Sequence, residues 1–99
     1  MIIITGDVVC RPDSFAEALR LSEEHVARSR AEPGCLSHAV HRDVEDPLRL
    51  VFFERWEDRA ALDAHFKVPA SRAFGALAAK LAARPPVLAI YEASELSLR

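Results

Sequence analysis

Hydrophobic residues recur along this chain with two different periods, and the switches between them mark seven segments. Residues 1–10 alternate as a strand does, with Ile2, Ile4 and Val8 on one face and Ile3, Thr5 and Val9 on the other. Phe15, Leu19, Ser22 and Val26 then repeat at helical spacing. Ser14 opens that helix, with Glu17 completing a capping box, and Glu24 and Arg28 form a pair on its wet face. Pro33-Gly34 stops it, the proline by lacking an amide donor and the glycine by accepting a positive φ. Residues 35–42 alternate again, Leu36, His38, Val40 and Arg42 against Cys35, Ser37, Ala39 and His41. A polar turn over 43–47 leads into a strand over 48–56. Leu48, Leu50, Phe52, Glu54 and Trp56 share one of its faces, and Arg49, Val51, Phe53 and Arg55 the other. Asp58 caps a short helix that groups Ala61, Leu62, His65 and Phe66. Val68-Pro69 breaks it, and Ser71 starts another helix with the stripe Phe74, Leu77, Ala78 and Leu81, ended by Arg84-Pro85-Pro86. Residues 87–93 form a last strand, with Leu88 and Ile90 against Val87, Ala89 and Tyr91, and Leu96 and Leu98 continue the alternation.

The order strand, helix, hairpin, helix pair, strand predicts an α+β fold of the ferredoxin-like split β-α-β type with an antiparallel sheet. The first and last strands are apolar on both faces, whereas helices in such a fold cover only one. A second sheet is therefore implied over the other face, and a partner chain is the obvious source. The expectation is a homodimer stacked sheet against sheet.

Composition narrows the function classes. At 99 residues the chain makes one domain, 1–99, and 51% hydrophobic residues exclude disorder. A net charge of −2 with interspersed signs and no basic stripe argues against nucleic acid. No apolar run approaches the ~20 residues of a membrane span, and the first residues lack a basic leader, so no membrane partner and a cytoplasmic location are expected. Cys10 and Cys35 lack Cys-x-x-Cys spacing and read as buried reduced thiols. Gly6, Gly34 and Gly75 are isolated, so no phosphate-cradling loop is present.

Candidate chemistry concentrates between residues 32 and 74. His65, on the inner side of its short helix, suits an acid or base near neutral pH, or a core histidine satisfied by a carbonyl or by Glu54. Glu54 on so apolar a strand requires a partner, either a histidine that it orients or an arginine such as Arg55 or Arg72. Trp56 shares its face and fits either packing or a flat ligand. These positions predict a cavity within each subunit, between sheet and helices, with His65, Glu54 and His38 as catalytic candidates and Trp56, Phe52 and Phe74 as substrate-binding ones. His41, out of phase with His38, reads as a surface or interface residue. No metal set is expected, because the spacings among these groups depend on the fold.

Glu32-Pro33-Gly34-Cys35-Leu36, a hairpin, then Glu54-Arg55-Trp56-Glu57-Asp58 and Ala60-Ala61-Leu62-Asp63-Ala64-His65 resemble the antibiotic biosynthesis monooxygenase family and its small quinol monooxygenase members. The resemblance implies a dimeric α+β barrel. It also implies a cofactor-independent monooxygenase of an aromatic, quinol-like or polyketide-like molecule. A histidine after Ala-Leu-x-Ala belongs to the family's pattern, whereas His38 stands where many members have tyrosine. Haem-degrading relatives and the actinorhodin-type enzyme use an asparagine in the pocket, and this chain has none. Two other functions remain open on these residues: an isomerase or cyclase working by histidine proton transfer, and a non-catalytic small-molecule-binding dimer.

Overall fold

Four strands and three helices follow one another as β1 (Ile2–Val9), α1 (Phe15–Arg30), β2 (Cys35–Arg42), β3 (Arg49–Trp56), α2 (Arg59–Lys67), α3 (Pro69–Leu81) and β4 (Val87–Glu92) in the computed structural model, which describes residues 1–98. The strands form one antiparallel sheet in the order β2-β3-β1-β4, so the ferredoxin-like α+β arrangement predicted from the hydrophobic pattern is present. β1 and β3 are central, each paired along both edges, and β2 and β4 are the edge strands.

Period two in β3 sets the sheet's inner face. Leu50, Phe52, Glu54 and Trp56 are all buried against the helices, while Phe53 on the opposite face is 42% exposed. Leu50 and Trp56 are wholly inaccessible, as is Ile4 of β1. Burying each such side chain contributes about 1.5–3 kcal/mol. They divide between two apolar clusters, one around Val8, Val26, Leu50 and Phe52 and one around Ile2, Ile4, Trp56 and Leu62. The ionisable groups described below sit between them.

The face assignment in β2 changes at its start. A register shift between Cys35 and Ser37 leaves Cys35 opposite Trp56 and His38 opposite Glu54, both on the inner face. Leu36 is the extra residue and is 49% exposed. Strict alternation had placed Cys35 opposite in sense to His38, but an inserted residue resets the phase. Gly34, just before this bulge, has φ +82°, as its role in ending α1 requires.

Several local expectations are also corrected. Ser14 precedes α1 but forms no capping box with Glu17. Its hydroxyl instead accepts from the Arg11 amide and donates to the Leu81 carbonyl at 2.7 Å, tying the start of α1 to the end of α3. Glu24 pairs with Arg20, one turn earlier, rather than with Arg28. α3 begins at Pro69, two residues before Ser71, because proline at the first helical position sacrifices only an amide that would be unpaired anyway. Asp58 does cap α2, accepting from the Ala61 amide at 2.8 Å. Strand β4 ends at Glu92, and Leu96 and Leu98 lie beyond it as exposed residues. Among the described residues no helix is long and apolar enough to cross a membrane.

Candidate active site

A cavity of about 310 Å³ lies between the inner face of the sheet and the helices. Its apolar walls come from Phe52 on β3, Phe74 and Ala78 on α3, and Leu88 on β4, with ionisable edges from His25, Glu54 and His65. Of the residues singled out in the sequence, Phe52, Glu54, His65 and Phe74 line this space. Trp56 and His38 do not. Both are buried beneath it, because their positions on β3 and β2 put them under α2 and α1.

His65 is fixed from both sides. Its Nδ1 lies 3.0 Å from Oε1 and 3.2 Å from Oε2 of Glu32, a residue just beyond the end of α1. Nε2 lies 3.9 Å from Oε1 of Glu54, too far for a direct hydrogen bond. The ring packs over Trp56, with centroids 4.5 Å apart. Glu32 therefore takes the orienting role for which Glu54 or a backbone carbonyl were the candidates.

Glu54 meets no arginine. Its Oε1 accepts from the Trp56 indole at 2.9 Å, and its Oε2 lies 3.6 Å from His38 Nε2. Burial raises its pKa, with the Trp56 hydrogen bond and His65 acting in the opposite direction. Arg55 points to the outer face and bonds Ser37 instead.

His25, on α1, is the site residue that the sequence reading missed. It stacks on Phe74 with centroids 4.2 Å apart and planes at 7°, and it stands 5.2 Å from the His38 ring and 5.6 Å from that of His65. Desolvation, helped by the neighbouring histidines, depresses its pKa to about 3 and that of His38 to about 4. Both rings are neutral at pH 7. Nδ1 of His25 and both nitrogens of His38 are buried without a hydrogen-bond partner. The signal for His25 was present in the stripe Ala18, Ser22, His25 and Ser29, which is buried along the whole of α1.

Among the described residues no group of three or more His, Cys, Asp or Glu side chains is placed to hold a metal ion. Cys10 and Cys35 are free thiols whose pKa values burial raises. His41 is exposed on the outer side of β2.

Comparisons with known proteins agree on one family. Residues 1–77 match the model of the antibiotic biosynthesis monooxygenase family. An uncharacterized Synechocystis protein, sll1783, is 36% identical over 94 residues, 95% of this chain, which spans 64% of that protein's length. Rv0793 of Mycobacterium tuberculosis, named as a proposed monooxygenase, is 32% identical over 80 residues, covering 81% of this chain and 78% of its own. Its solved structure superposes with a TM-score of 0.89 over 97% of both chains. A crystal structure of an antibiotic biosynthesis monooxygenase superposes with a TM-score of 0.87 at 28% identity, covering 96% of this chain and 100% of its own. With the fold, the sequence and the family model in agreement, this chain belongs to the antibiotic biosynthesis monooxygenase family.

Proposed function

We propose that this protein is a monooxygenase of an electron-rich aromatic molecule, quinol-like or polyketide-like, that works without metal or organic cofactor. The observation that carries this reading is the joining, in one cavity of about 310 Å³, of aromatic and aliphatic walls with an oriented imidazole. Phe52 and Phe74 offer flat surfaces for a ring, and offset or edge-on contacts between such rings are favourable. His65 Nε2 takes a proton from a substrate hydroxyl, leaving an anion that can give electrons to oxygen. One oxygen atom of O₂ enters the ring and the other leaves as water, the substrate supplying the two electrons. The protein contributes orientation and exclusion of water. Glu54, whose pKa burial raises, stands beside His65 as a proton-holding group, with the neutral His38 ring behind it. Trp56 anchors Glu54 rather than contacting the ring.

The functional unit is a cytoplasmic homodimer stacked through the open sheet face. That face carries Phe53 and Tyr91, which are 42% and 53% exposed. Consumption of O₂ by the purified protein with a panel of quinols and polyphenols tests the reaction. Stoichiometric uptake with formation of a hydroxylated quinone is expected. Exchange or rearrangement of the substrate without uptake would replace the oxygenase with an isomerase using the same histidines.

A further inference from the structure

His65 stands between two spaces, lining one and bonded to a residue that lines the other. The residue lines the inner cavity, whereas Glu32, held to its Nδ1 at 3.0 Å, does not line that cavity. Glu32 lines a separate groove on the outside of the protein, between the Pro33-Gly34 turn and Ala61 and Ala64 of α2. Its side chain keeps 17% of its accessibility while that of His65 keeps 5%. The imidazole thus stands between the inner cavity and the outer groove, with a carboxylate on the groove side.

We propose that Glu32 and His65 form a proton relay between the inner cavity and solvent, with Glu32 as the positioning residue that sets the resting tautomer of His65 and exchanges its proton with water in the groove. This rests on the reading of His65 as the group that takes the substrate proton. With Glu32 ionised, Nδ1 carries a proton donated to the carboxylate, and Nε2 presents a lone pair to the cavity. A proton arriving on Nε2 makes an imidazolium. Its Nδ1 proton passes to Glu32 and then to groove water, leaving a neutral ring protonated on Nε2 and a regenerated carboxylate once the proton has left. The reverse passage, from water to Glu32 to Nδ1, restores the imidazolium, which can return the Nε2 proton to a reacted oxygen. One proton moves in each direction and no electron does.

The other groups facing His65 do not offer this route. Glu54 approaches from β3, is buried and is occupied by the Trp56 indole. His38 from β2 is wholly enclosed, and His25 from α1 faces the inner cavity. Glu32 is the member of the cluster that reaches both the ring and the outer groove.

Nitrogen-detected NMR of the His65 ring tests the relay without any substrate. In the wild type the Nδ1-protonated tautomer is expected, with a ring proton that exchanges readily with water. In Glu32→Gln, which keeps shape and hydrogen-bonding capacity, the share of the Nδ1-protonated tautomer should fall, because an amide can donate to Nδ1 as well as accept from it. Exchange of the ring proton should slow by roughly 10²-fold, the low end for a general acid–base group. A second arm uses Glu32→Ala, whose turnover of a confirmed substrate should recover on adding formate, small enough to enter the groove. An unchanged His65 tautomer and ring-proton exchange in a folded Glu32→Gln protein overturns the relay, as does Glu32→Ala turnover that formate leaves depressed. Failure of the wild type to consume O₂ with any substrate overturns the oxygenase and leaves the NMR result standing by itself.

Discussion

The Trp56 indole donates to Glu54 Oε1 at 2.9 Å from two residues further along the same strand face. Strand geometry brings every second side chain to one side, so residues i and i+2 of β3 supply both the buried carboxyl and its donor.

Replacing Trp56 with Phe keeps most of the buried area but removes this donor. Glu54 is then left without its one direct hydrogen bond, which should destabilise the fold by about 1–3 kcal/mol. The Glu54 pKa should rise further, because the Trp56 bond opposes the effect of burial. Urea unfolding and carboxyl-detected NMR measure the two effects.

Acid should destabilise the protein well before its carboxylates titrate. His25 and His38 have folded pKa values of about 3 and about 4 against an ordinary 6.5. Between these values the unfolded chain binds more protons than the folded one, so stability is full above about pH 6.5 and declines as pH falls toward 4. Each ring should cost about 2 kcal/mol between pH 7 and pH 5. Glu54, with its raised pKa, acts with the opposite sign and offsets part of this loss at low pH. Unfolding midpoints measured from pH 8 to 4.5 should show the decline, and a folded His38→Leu variant should show a shallower one.

His65→Ala should stay folded, since the side chain borders an existing cavity, yet turn over a confirmed substrate roughly 10²–10⁴-fold more slowly. Wild-type rates should survive exhaustive chelation. Steady-state oxygen uptake reads both, and normal turnover by the variant would remove His65 from the mechanism.

Gly34→Ala should be strongly destabilising. The added Cβ would meet Ala61 Cβ at 2.5 Å, and φ is +82°, where an L-residue costs roughly 1–2 kcal/mol even with space available. Gly75→Ala is the control, because nothing lies within 4 Å of its new methyl group and alanine favours a helix. Thermal melts of the two should move in opposite directions.

The proposed dimer is tested on the open face of the sheet. Phe53→Glu puts a charge into that interface without disturbing the inner face, where Leu50, Phe52, Glu54 and Trp56 are buried. Sedimentation should show about 22 kDa for the wild type, twice the 11.0 kDa chain, and a shift toward monomer for the variant.

Hydrophobic periodicity alone determined the order of elements, the inner face of β3 and the side of α2 that carries His65 with Leu62. These depend on local rules, the two-residue repeat of a strand and the cap that Asp58 supplies to α2. What only the tertiary structure decided involves partners distant in sequence. Glu32 reaches His65 across 33 residues, and no local pattern reports which carboxylate a buried imidazole will meet. His25 joined the site through packing of α1 on α3, where Phe74 stacks on it, and its neutrality comes from desolvation by the assembled core. The bulge after Cys35 is of the same kind, since it exists only against β3. Spacing within an element follows from bond geometry, whereas the meeting of elements is set by the sum of many weak packing contacts.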